Sequence, residues 1–322
     1  MPSRKTNPKV LAEPHPAPVD ALQFPRFAGV PTFMRLPHIP DASRLDVALI
    51  GVPFDGGTTY RPGPRFGPKS IREQSAIIRP YHPVLDVNPF EQLRVADYGD
   101  LSVNPISIED TYARIEAGLK PILAAGTIPM CVGGDHSILL PILRAVHAAH
   151  GPVALIQFDA HSDTWDQYWG SKYTHGTPVR RAIEEGLIAE PYVLQVGLRG
   201  QLYGAGDFDY IREHKIATVT SEEFHEQGLP VVREKLKAFE GRKTYFTLDI
   251  DVVDPAFAPG TGTPQVGGLS SVQILNLVRA LKGLNLVGCD LVEVSPQFDS
   301  AGITSLLAAN LLFEQLCLFC FA

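Results

Sequence analysis

Short apolar runs alternate with longer stretches of helical periodicity along most of the chain. The apolar runs have the length of buried strands and are bounded by Gly, Pro or polar residues. They predict strands over 47–52, 93–96, 128–132, 153–158, 192–196, 216–219, 245–250 and 286–292. The longer stretches predict helices over 108–125, 139–150, 177–185, 271–281 and 303–318, with another starting near Pro68. This alternation is typical of the α/β class, here a mostly parallel sheet of about eight strands with helices on both faces.

The N-terminal part of the chain departs from this pattern. Residues 1–40 are rich in proline and show no clear periodicity, which is typical of an extended arm. The sequence leaves open whether such an arm lies on its own subunit or on a neighbouring one. No linker divides the remainder, so we predict an arm over 1–40 and a single α/β domain over 41–322.

Composition and charge exclude several classes of function. The net charge of −7 and the pI of about 5.8 give no basic surface for a nucleic-acid partner. No run approaches the ~20 apolar residues of a membrane span, and the N-terminus has no apolar core behind its charges, so it does not resemble a secretory signal. The four cysteines include one CxxC pair without a second pair to complete a zinc site. We expect a reduced, cytoplasmic protein.

A Gly- and Pro-rich segment over 55–68 follows the first predicted strand. Loops of this length at the carboxyl end of a strand in an α/β sheet more often form part of a functional site than serve only as connections. The segment lacks the GK[ST] ending of a phosphate-binding loop. We therefore expect it to be functional but not to bind phosphate.

Acidic and histidine side chains gather at the ends of three predicted strands. Asp159, His161 and Asp163 follow the strand 153–158 at two-residue spacing, so they can converge where the strand opens into a loop. Two carboxylates that approach each other repel unless a cation lies between them. This segment therefore indicates half of a metal site. A polar turn or a helix cap is the alternative interpretation.

The other two strand ends supply further ligands. His136 follows a glycine pair at one strand end, and Asp249 and Asp251 lie two apart at another, facing the same side. In an open parallel sheet such ends form one crevice. Four carboxylates and two imidazoles suit two divalent ions with shared carboxylates, because the charges then balance. Oxygen and nitrogen donors without thiolate favour Mn²⁺, with Fe, Co, Ni or Zn as alternatives.

The three motifs resemble a known family. GGDHS, DAHSD and DIDVVDPAFAPGTGTP together are similar to the signatures of the ureohydrolases, the group of arginase and agmatinase. The resemblance extends from about Pro25 to the last predicted helix. It implies a three-layer αβα fold, two manganese ions, and hydrolysis of a guanidinium group to urea and an amine. It also implies a homo-oligomer, either a trimer or a hexamer.

The resemblance also implies roles for individual residues. One metal would be held by His136, Asp159, Asp163 and Asp249, and the other by Asp159, His161, Asp249 and Asp251, with Asp159 and Asp249 bridging. Asp163 would also hold the attacking hydroxide by a hydrogen bond. His175 matches the family's proton-shuttle histidine, with a helix cap as the alternative, and Glu293 matches the glutamate that binds the guanidinium, for which a bidentate pair is expected. Asp135 and Asp254 would orient the ligands.

One departure from the arginase pattern narrows the substrate. Trp165 occupies the position at which arginases place an asparagine, and an indole is poorly suited to bind a carboxylate. The sequence therefore sides with the agmatinase branch, and agmatine is the predicted substrate, giving putrescine and urea. Trp165, Tyr168 and Trp169 would contact the methylene chain, unless these aromatics are subunit contacts.

Two side chains bear on the far end of that substrate. Asp166 would meet the terminal ammonium of agmatine, whereas Lys172 would favour a carboxylate. A guanidinobutyrase or guanidinopropionase is therefore the alternative with the same chemistry. A metal-binding protein that has lost catalysis is the alternative from a different class.

Overall fold

The structure, a computed structural model, describes residues 15–321. Its centre is one sheet whose seven strand pairings are all parallel, as predicted. The strands are β1 (Val47–Val52), β2 (Val95–Asp100), β3 (Ile128–Gly133), β4 (Val153–Phe158), β5 (Ile188–Leu198), β6 (Ala217–Thr220), β7 (Thr244–Asp249) and β8 (Leu286–Val292). Their order across the sheet is β2-β1-β3-β8-β7-β4-β5-β6. The central strands that precede the predicted ligands are therefore near neighbours.

Helices cover both faces of this sheet. They are α1 (Gly67–Gln74), α2 (Pro89–Gln92), α3 (Ile108–Ala124), α4 (Leu139–His150), α5 (Pro178–Glu184), α6 (Asp209–Glu213), α7 (Ser221–Gln227), α8 (Leu229–Leu236), α9 (Ser271–Arg279) and α10 (Ile303–Leu318). The contacts of α1 and α9 with α10 form one layer, and those of α3 and α5 with α4 form the other. The predicted three-layer αβα fold is thus confirmed.

Strand β4 shows how the apolar pattern produces this arrangement. All six of its residues are buried, and five of them are apolar, so the strand reads as an apolar run rather than an alternating one. Because successive side chains point to opposite faces, Ile156 and Phe158 belong to one hydrophobic cluster and Val153 and Leu155 to the other. Phe158 meets Phe246 of β7 edge to face at 4.8 Å. The two clusters are the cores between the sheet and each helical layer.

The predicted bounds differ from the observed ones by more than one residue at two strands. β2 starts at Val95 because Leu93 is the C-cap residue of the short helix α2. This helix has too few turns to show a periodic pattern in the sequence. β5 starts at Ile188, earlier than predicted. Pro191 has no N–H to donate to a neighbouring strand, so it weakens the sequence signal for a strand at this position. The predicted strands 47–52, 153–158 and 286–292 have the observed bounds.

The predicted N-terminal arm is only partly described, since residues 1–14 lie outside the described range. Within it, Phe33, Met34 and Leu36 are buried in the core. The Phe33 amide donates to Asp97 Oδ2 at 3.0 Å, which fixes this stretch to β2. By contrast, Leu22 and Phe27 are 95% and 94% exposed.

The C-terminal helix α10 is unusually apolar. The stretch Ser300–Leu318 is long and apolar enough to cross a membrane, but 72% of its most apolar window is buried inside the protein. Its Glu314 pairs with Arg279 of α9 and accepts a hydrogen bond from His82 at 2.9 Å. Because a buried carboxylate is costly unless it is paired, these two partners show that the helix is packed against the rest of the protein. Helix α10 therefore belongs to the core.

Candidate metal centre

Four neighbouring strands direct polar side chains to one edge of the sheet. His136 follows β3, Asp159 and the residues up to Asp163 follow β4, Asp249 ends β7, and Glu293 follows β8. In the sheet these strands stand in the order β3-β8-β7-β4. Because parallel strands share one carboxyl edge, segments far apart in sequence meet there.

His136 lies at the centre of the first cluster and is 1% exposed. Its Nδ1 is 2.8 Å from Asp163 Oδ2, 3.1 Å from Asp159 Oδ2 and 3.5 Å from Asp249 Oδ2. Both His136 Nδ1 and Asp163 Oδ2 are buried without a hydrogen bond of acceptable geometry. One buried imidazole nitrogen therefore faces three carboxylates.

The hydrogen-bond partner of the other ring nitrogen, Nε2, determines whether Nδ1 of His136 carries a proton or a lone pair. Its Nε2 is 2.8 Å from Thr247 Oγ1, and that hydroxyl donates to Asp290 Oδ1 at 2.6 Å. Tyr245 also donates to Asp290, at 3.0 Å. Burial raises the pKa of Asp290 to about 6, and its carboxylate accepts from both hydroxyls. Because the Thr247 proton is directed at Asp290, Thr247 accepts from Nε2–H, and Nδ1 of the neutral imidazole then carries a lone pair. A lone pair among three carboxylates fits a bound cation.

A second cluster shares Asp159 with the first. His161 Nδ1 lies 3.0 Å from Asp251 Oδ2 and 3.5 Å from Asp159 Oδ1. Asp159 thus turns one oxygen towards His136 and the other towards His161. The His161 side chain is 21% exposed, against 1% for His136. The geometry groups the ligands as His136, Asp159 and Asp163 in one set and Asp159, His161 and Asp251 in the other.

Neighbouring donors hold these carboxylates in place. Gln157 Nε2 donates to Asp159 Oδ2 at 2.7 Å, and the Ala160 amide donates to Asp251 Oδ1 at 3.1 Å. Asp249 accepts from the Asp251 amide at 2.8 Å. Such support orients ligands before an ion arrives.

The backbone bears strain at this site. Asp163 has a φ of 53° and Glu293 a φ of 66°, both in the left-handed region. This conformation costs non-glycine residues of order 1 kcal/mol and clusters at functional sites.

Titration behaviour reflects the crowding of like charges. Burial, then the charge of Asp159, raises the pKa of Asp163 to about 6. Burial and the charges of Asp251 and Asp159 raise the pKa of Asp249 well above its usual range. Burial opposes the charged form of His136, but the facing carboxylates raise its pKa all the same. Without metal the site must hold protons to offset this charge, and divalent cations would replace them. The residues present therefore fit a metal centre of oxygen and nitrogen donors.

Glu293 lies beside the first cluster and is fully buried. Its Oε1 accepts from the His136 backbone amide at 2.8 Å and lies 3.1 Å from His175 Nδ1, while Oε2 has no hydrogen-bond partner within residues 15–321. The resemblance implied a bidentate pair with a guanidinium. Here one oxygen is already engaged, so Glu293 offers a single free oxygen. Its role in substrate binding stays a prediction.

His175 is held by two neighbours. Its Nε2 accepts from the Thr59 amide at 3.1 Å and is 2.7 Å from Thr59 Oγ1, and its own amide donates to Gly57 O at 2.9 Å. The His175 side chain does not cap the following helix: the N-cap residue of α5 is Thr177, and no side chain makes a capping hydrogen bond there. Burial disfavours charge on His175, but the carboxylate of Glu293 outweighs it and raises the pKa.

The loop 55–68 forms one wall of the site, as its length suggested. Asp135 Oδ2 accepts from the Gly57 amide at 2.6 Å, which fastens the loop to the segment that carries His136. Asp135 is therefore a supporting residue, in agreement with its position outside the ligand set. Asp254 acts similarly elsewhere, accepting from the amides of Gly267 and Gly268 at 2.7 and 3.0 Å.

A cavity of about 510 Å³ opens above the two clusters. His161, Asp163, Asp249 and His175 line its floor, and aromatic side chains line part of its wall, among them Trp165, Tyr168, Trp169 and Tyr203. The prediction that the segment 164–174 faces a substrate pocket is consistent with these positions. Trp165 and Tyr168 rings lie 6.1 Å apart.

Asp166 does not lie where the agmatine interpretation requires it. Its carboxylate is 2.9 Å from Arg181 and 3.6 Å from Arg180 of α5, and it is absent from the lining of the cavity. The two arginines attract it to the outer side of the loop, while Trp165 turns inward. Lys172 is exposed and also lies outside the lining.

Sequence analysis missed several residues of the pocket wall. They come from three loops, of which only the last continues a metal motif: Thr59, Tyr60, Arg61, Gln201, Tyr203, Thr263, Pro264 and Gln265. The first three belong to the segment 55–68, whose length and position were the available signal. Nothing in the sequence around 201 distinguishes that loop from an ordinary surface connection.

Comparison with known proteins agrees with this geometry. A model of the arginase family matches residues 45–317. The guanidinopropionase of Pseudomonas aeruginosa is 50% identical over 310 residues, 96% of this chain and 97% of that protein. The mitochondrial agmatinase of Gallus gallus is 46% identical over 293 residues, 91% of this chain and 86% of that protein. The structure of proclavaminate amidinohydrolase from Streptomyces clavuligerus superposes with a TM-score of 0.89 at 43% identity, covering 93% of this chain and all of that one. The chain belongs to the arginase family.

Proposed function

We propose that the protein hydrolyses a small linear guanidino compound to urea and an amine, using two divalent metal ions, with manganese as the native metal. The observation that carries this proposal is the pair of imidazole–carboxylate clusters that share Asp159 beneath a pocket. Oxygen and nitrogen donors suit Mn²⁺, and the named relatives act on guanidino compounds.

The residues have separable tasks in this reaction. His136, Asp159, Asp163 and Asp249 would hold one ion, and Asp159, His161, Asp249 and Asp251 the other. When bound, the ions polarise a water molecule enough to make it a nucleophile near neutral pH.

Two further residues would handle the substrate and the proton. The free Oε2 of Glu293 accepts a hydrogen bond from the guanidinium, which places the guanidinium carbon next to the metal centre. His175 carries the proton that the leaving amine needs. In its charged form Nε2–H no longer accepts from the Thr59 amide and donates to Thr59 Oγ1 instead, and both residues line the pocket.

The test of this proposal is a urea assay on manganese-loaded protein with a panel of guanidino compounds, together with elemental analysis of the same sample. We expect urea release that stops on chelation and returns with Mn²⁺. Two bound ions without urea from any compound would instead favour the alternative, a metal-binding protein without catalysis. The intact His175–Glu293 pair supports the catalytic form.

Which guanidino compound is preferred is a separate matter. The choice of agmatine depended on Asp166 receiving an ammonium, and α5 holds Asp166 outside the pocket. This position of Asp166 favours the alternative substrate, a guanidino acid. Assembly as a trimer or hexamer and a cytoplasmic location remain part of the proposal; the exposed apolar side chains of Leu22 and Phe27 support the former.

A further inference from the structure

The pocket contains one strong cation that the proposed chemistry does not use. Apart from the histidines and the predicted metal ligands Asp163 and Asp249, the charged side chain in its lining is Arg61. Once divalent cations neutralise those aspartates, the remaining lining carries a positive charge, and Glu293, buried behind it, is the carboxylate that the proposed function assigns to the guanidinium.

Arg61 has no ion-pair partner among residues 15–321. Its guanidinium instead lies over two aromatic rings, 5.3 Å from the centroid of Tyr60 and 5.0 Å from that of Phe298. Four residues further on, Arg65 shows the contrasting case, since both its Nε and its Nη2 engage Asp55. Stacking orients a guanidinium while leaving its N–H groups open to a ligand.

The backbone around Arg61 is fixed on both sides. Asp55 Oδ2 accepts from the Gly63 amide at 2.8 Å, and Gln297 Nε2 donates to Pro62 O at 2.5 Å. Gly262 packs against the Arg61 carbonyl so closely that a Cβ there would lie 3.0 Å from the oxygen. Arg61 is thus presented by a braced loop.

We propose that Arg61 binds the carboxylate of the substrate, so that the preferred substrate is a guanidino acid and not agmatine. This inference rests on the proposed function, because it concerns the far end of a molecule whose guanidinium lies at the metal centre. Arginine and carboxylate form charge-assisted, often bidentate hydrogen bonds. A terminal ammonium would meet Arg61 as a like charge, and Asp166, its expected partner, is bound to Arg181 and Arg180.

The test compares three guanidinium substrates of similar length that differ in the charge at the far end: guanidinobutyrate with a carboxylate, agmatine with an ammonium, and butylguanidine with an uncharged methyl group. We expect kcat/KM of the wild-type enzyme to fall in the order guanidinobutyrate, butylguanidine, agmatine. Arg61→Gln should lower kcat/KM for guanidinobutyrate by roughly 10–100-fold, mainly through KM, because it removes a hydrogen-bonded charge. For butylguanidine it should change less than about threefold, and for agmatine it should rise or hold.

Two further variants test whether the effect depends on the guanidinium geometry and on this particular cation. Arg61→Lys keeps the charge but loses the planar fork, so it should restore part of the affinity for guanidinobutyrate. Lys172→Gln is the matched control, since Lys172 is a nearby exposed cation outside the pocket lining. It should leave the substrate order unchanged. A loss of guanidinobutyrate preference in Lys172→Gln would assign the carboxylate to Lys172 and overturn the proposal.

The outcomes separate this inference from the proposed function. If urea is released but agmatine is preferred, or if Arg61→Gln lowers kcat/KM equally for all three substrates, Arg61 is not a carboxylate receptor and the hydrolase function stands. If metal-loaded protein releases urea from none of them, the proposed function fails. Calorimetric titration of guanidinobutyrate into wild-type and Arg61→Gln protein then decides the inference, since equal affinities would overturn it.

Discussion

The two ligand clusters differ in how the fold surrounds them. In the first cluster His136 is 1% exposed and its imidazole is fixed from behind by Thr247 and Asp290, while Asp163 and Asp249 reach the floor of the pocket. The His161 cluster is open to the pocket, and Thr263 supports Asp251 only through a long hydrogen bond of 3.4 Å. Shared Asp159 joins a preformed half-site to an accessible one. We therefore expect the ion at His136 to bind more tightly and to exchange more slowly than the ion at His161.

The largest expected effect on metal content follows from removing the shared ligand. Asp159→Asn keeps the size of the side chain but removes its charge from both clusters. Metal content should fall from about two ions per chain to well under one, and urea release should be lost, because each half-site loses an anionic ligand. Elemental analysis after gel filtration measures this. Retention of both ions would mean that Asp159 does not bridge.

Removing one imidazole should separate the clusters. His136→Ala and His161→Ala should each lose about one ion, since the other half-site keeps its own ligands. After dilution into chelator, the ion left in His136→Ala should leave faster than the one left in His161→Ala. Stopped-flow measurement of metal release tests the order. Equal rates would mean that the burial of His136 and the exposure of His161 do not govern how fast each ion leaves.

The support behind His136 predicts a smaller, selective effect. Thr247→Val preserves shape but removes the hydroxyl between His136 and Asp290. Loss of such an outer partner lowers metal affinity by roughly 10–100-fold, and here only for the tighter ion. Thr263→Val is the matched change at the other cluster and should have a smaller effect. Competition titration with a fluorescent chelator distinguishes the two variants, and a melting curve checks their folding.

A change that leaves both clusters intact should alter the rate alone. His175→Asn removes the acid–base group but none of the predicted ligands. We expect two bound ions and an unchanged fold, while kcat falls by roughly 10²–10⁴-fold. A rate within a few-fold of the wild type would end the proton-transfer role. Loss of metal in this variant would instead connect His175 to the ligand set.

The sequence predicted the framework of this site well because its signals are local. Two-residue spacing in Asp159, His161 and Asp163 fixes their relative directions, and apolar runs fix the strands that carry them. Parallel order then brings the strand ends together whatever the sequence separation. Local pattern and topology were sufficient to bring six candidate ligands to one edge of the sheet.

The remaining features depend on contacts that spacing does not encode. Thr247 and Asp290 lie inside strands and resemble core positions until His136 is placed beside them. Arg61 becomes a pocket residue only through the fold of the loop 55–68. Asp166 was placed wrongly because its closeness to Trp165 in sequence suggested the same direction, whereas Arg181 on α5 attracts it away.

The distribution of the ligands along the chain has a consequence for biosynthesis. His136 follows β3, whereas Asp249 and Asp251 come with β7, more than a hundred residues later. A nascent chain that has not yet released β7 from the ribosome lacks part of both half-sites. Full loading of both half-sites therefore follows the docking of distant segments, and the free energy of binding the ions stabilises that late, long-range arrangement against reopening.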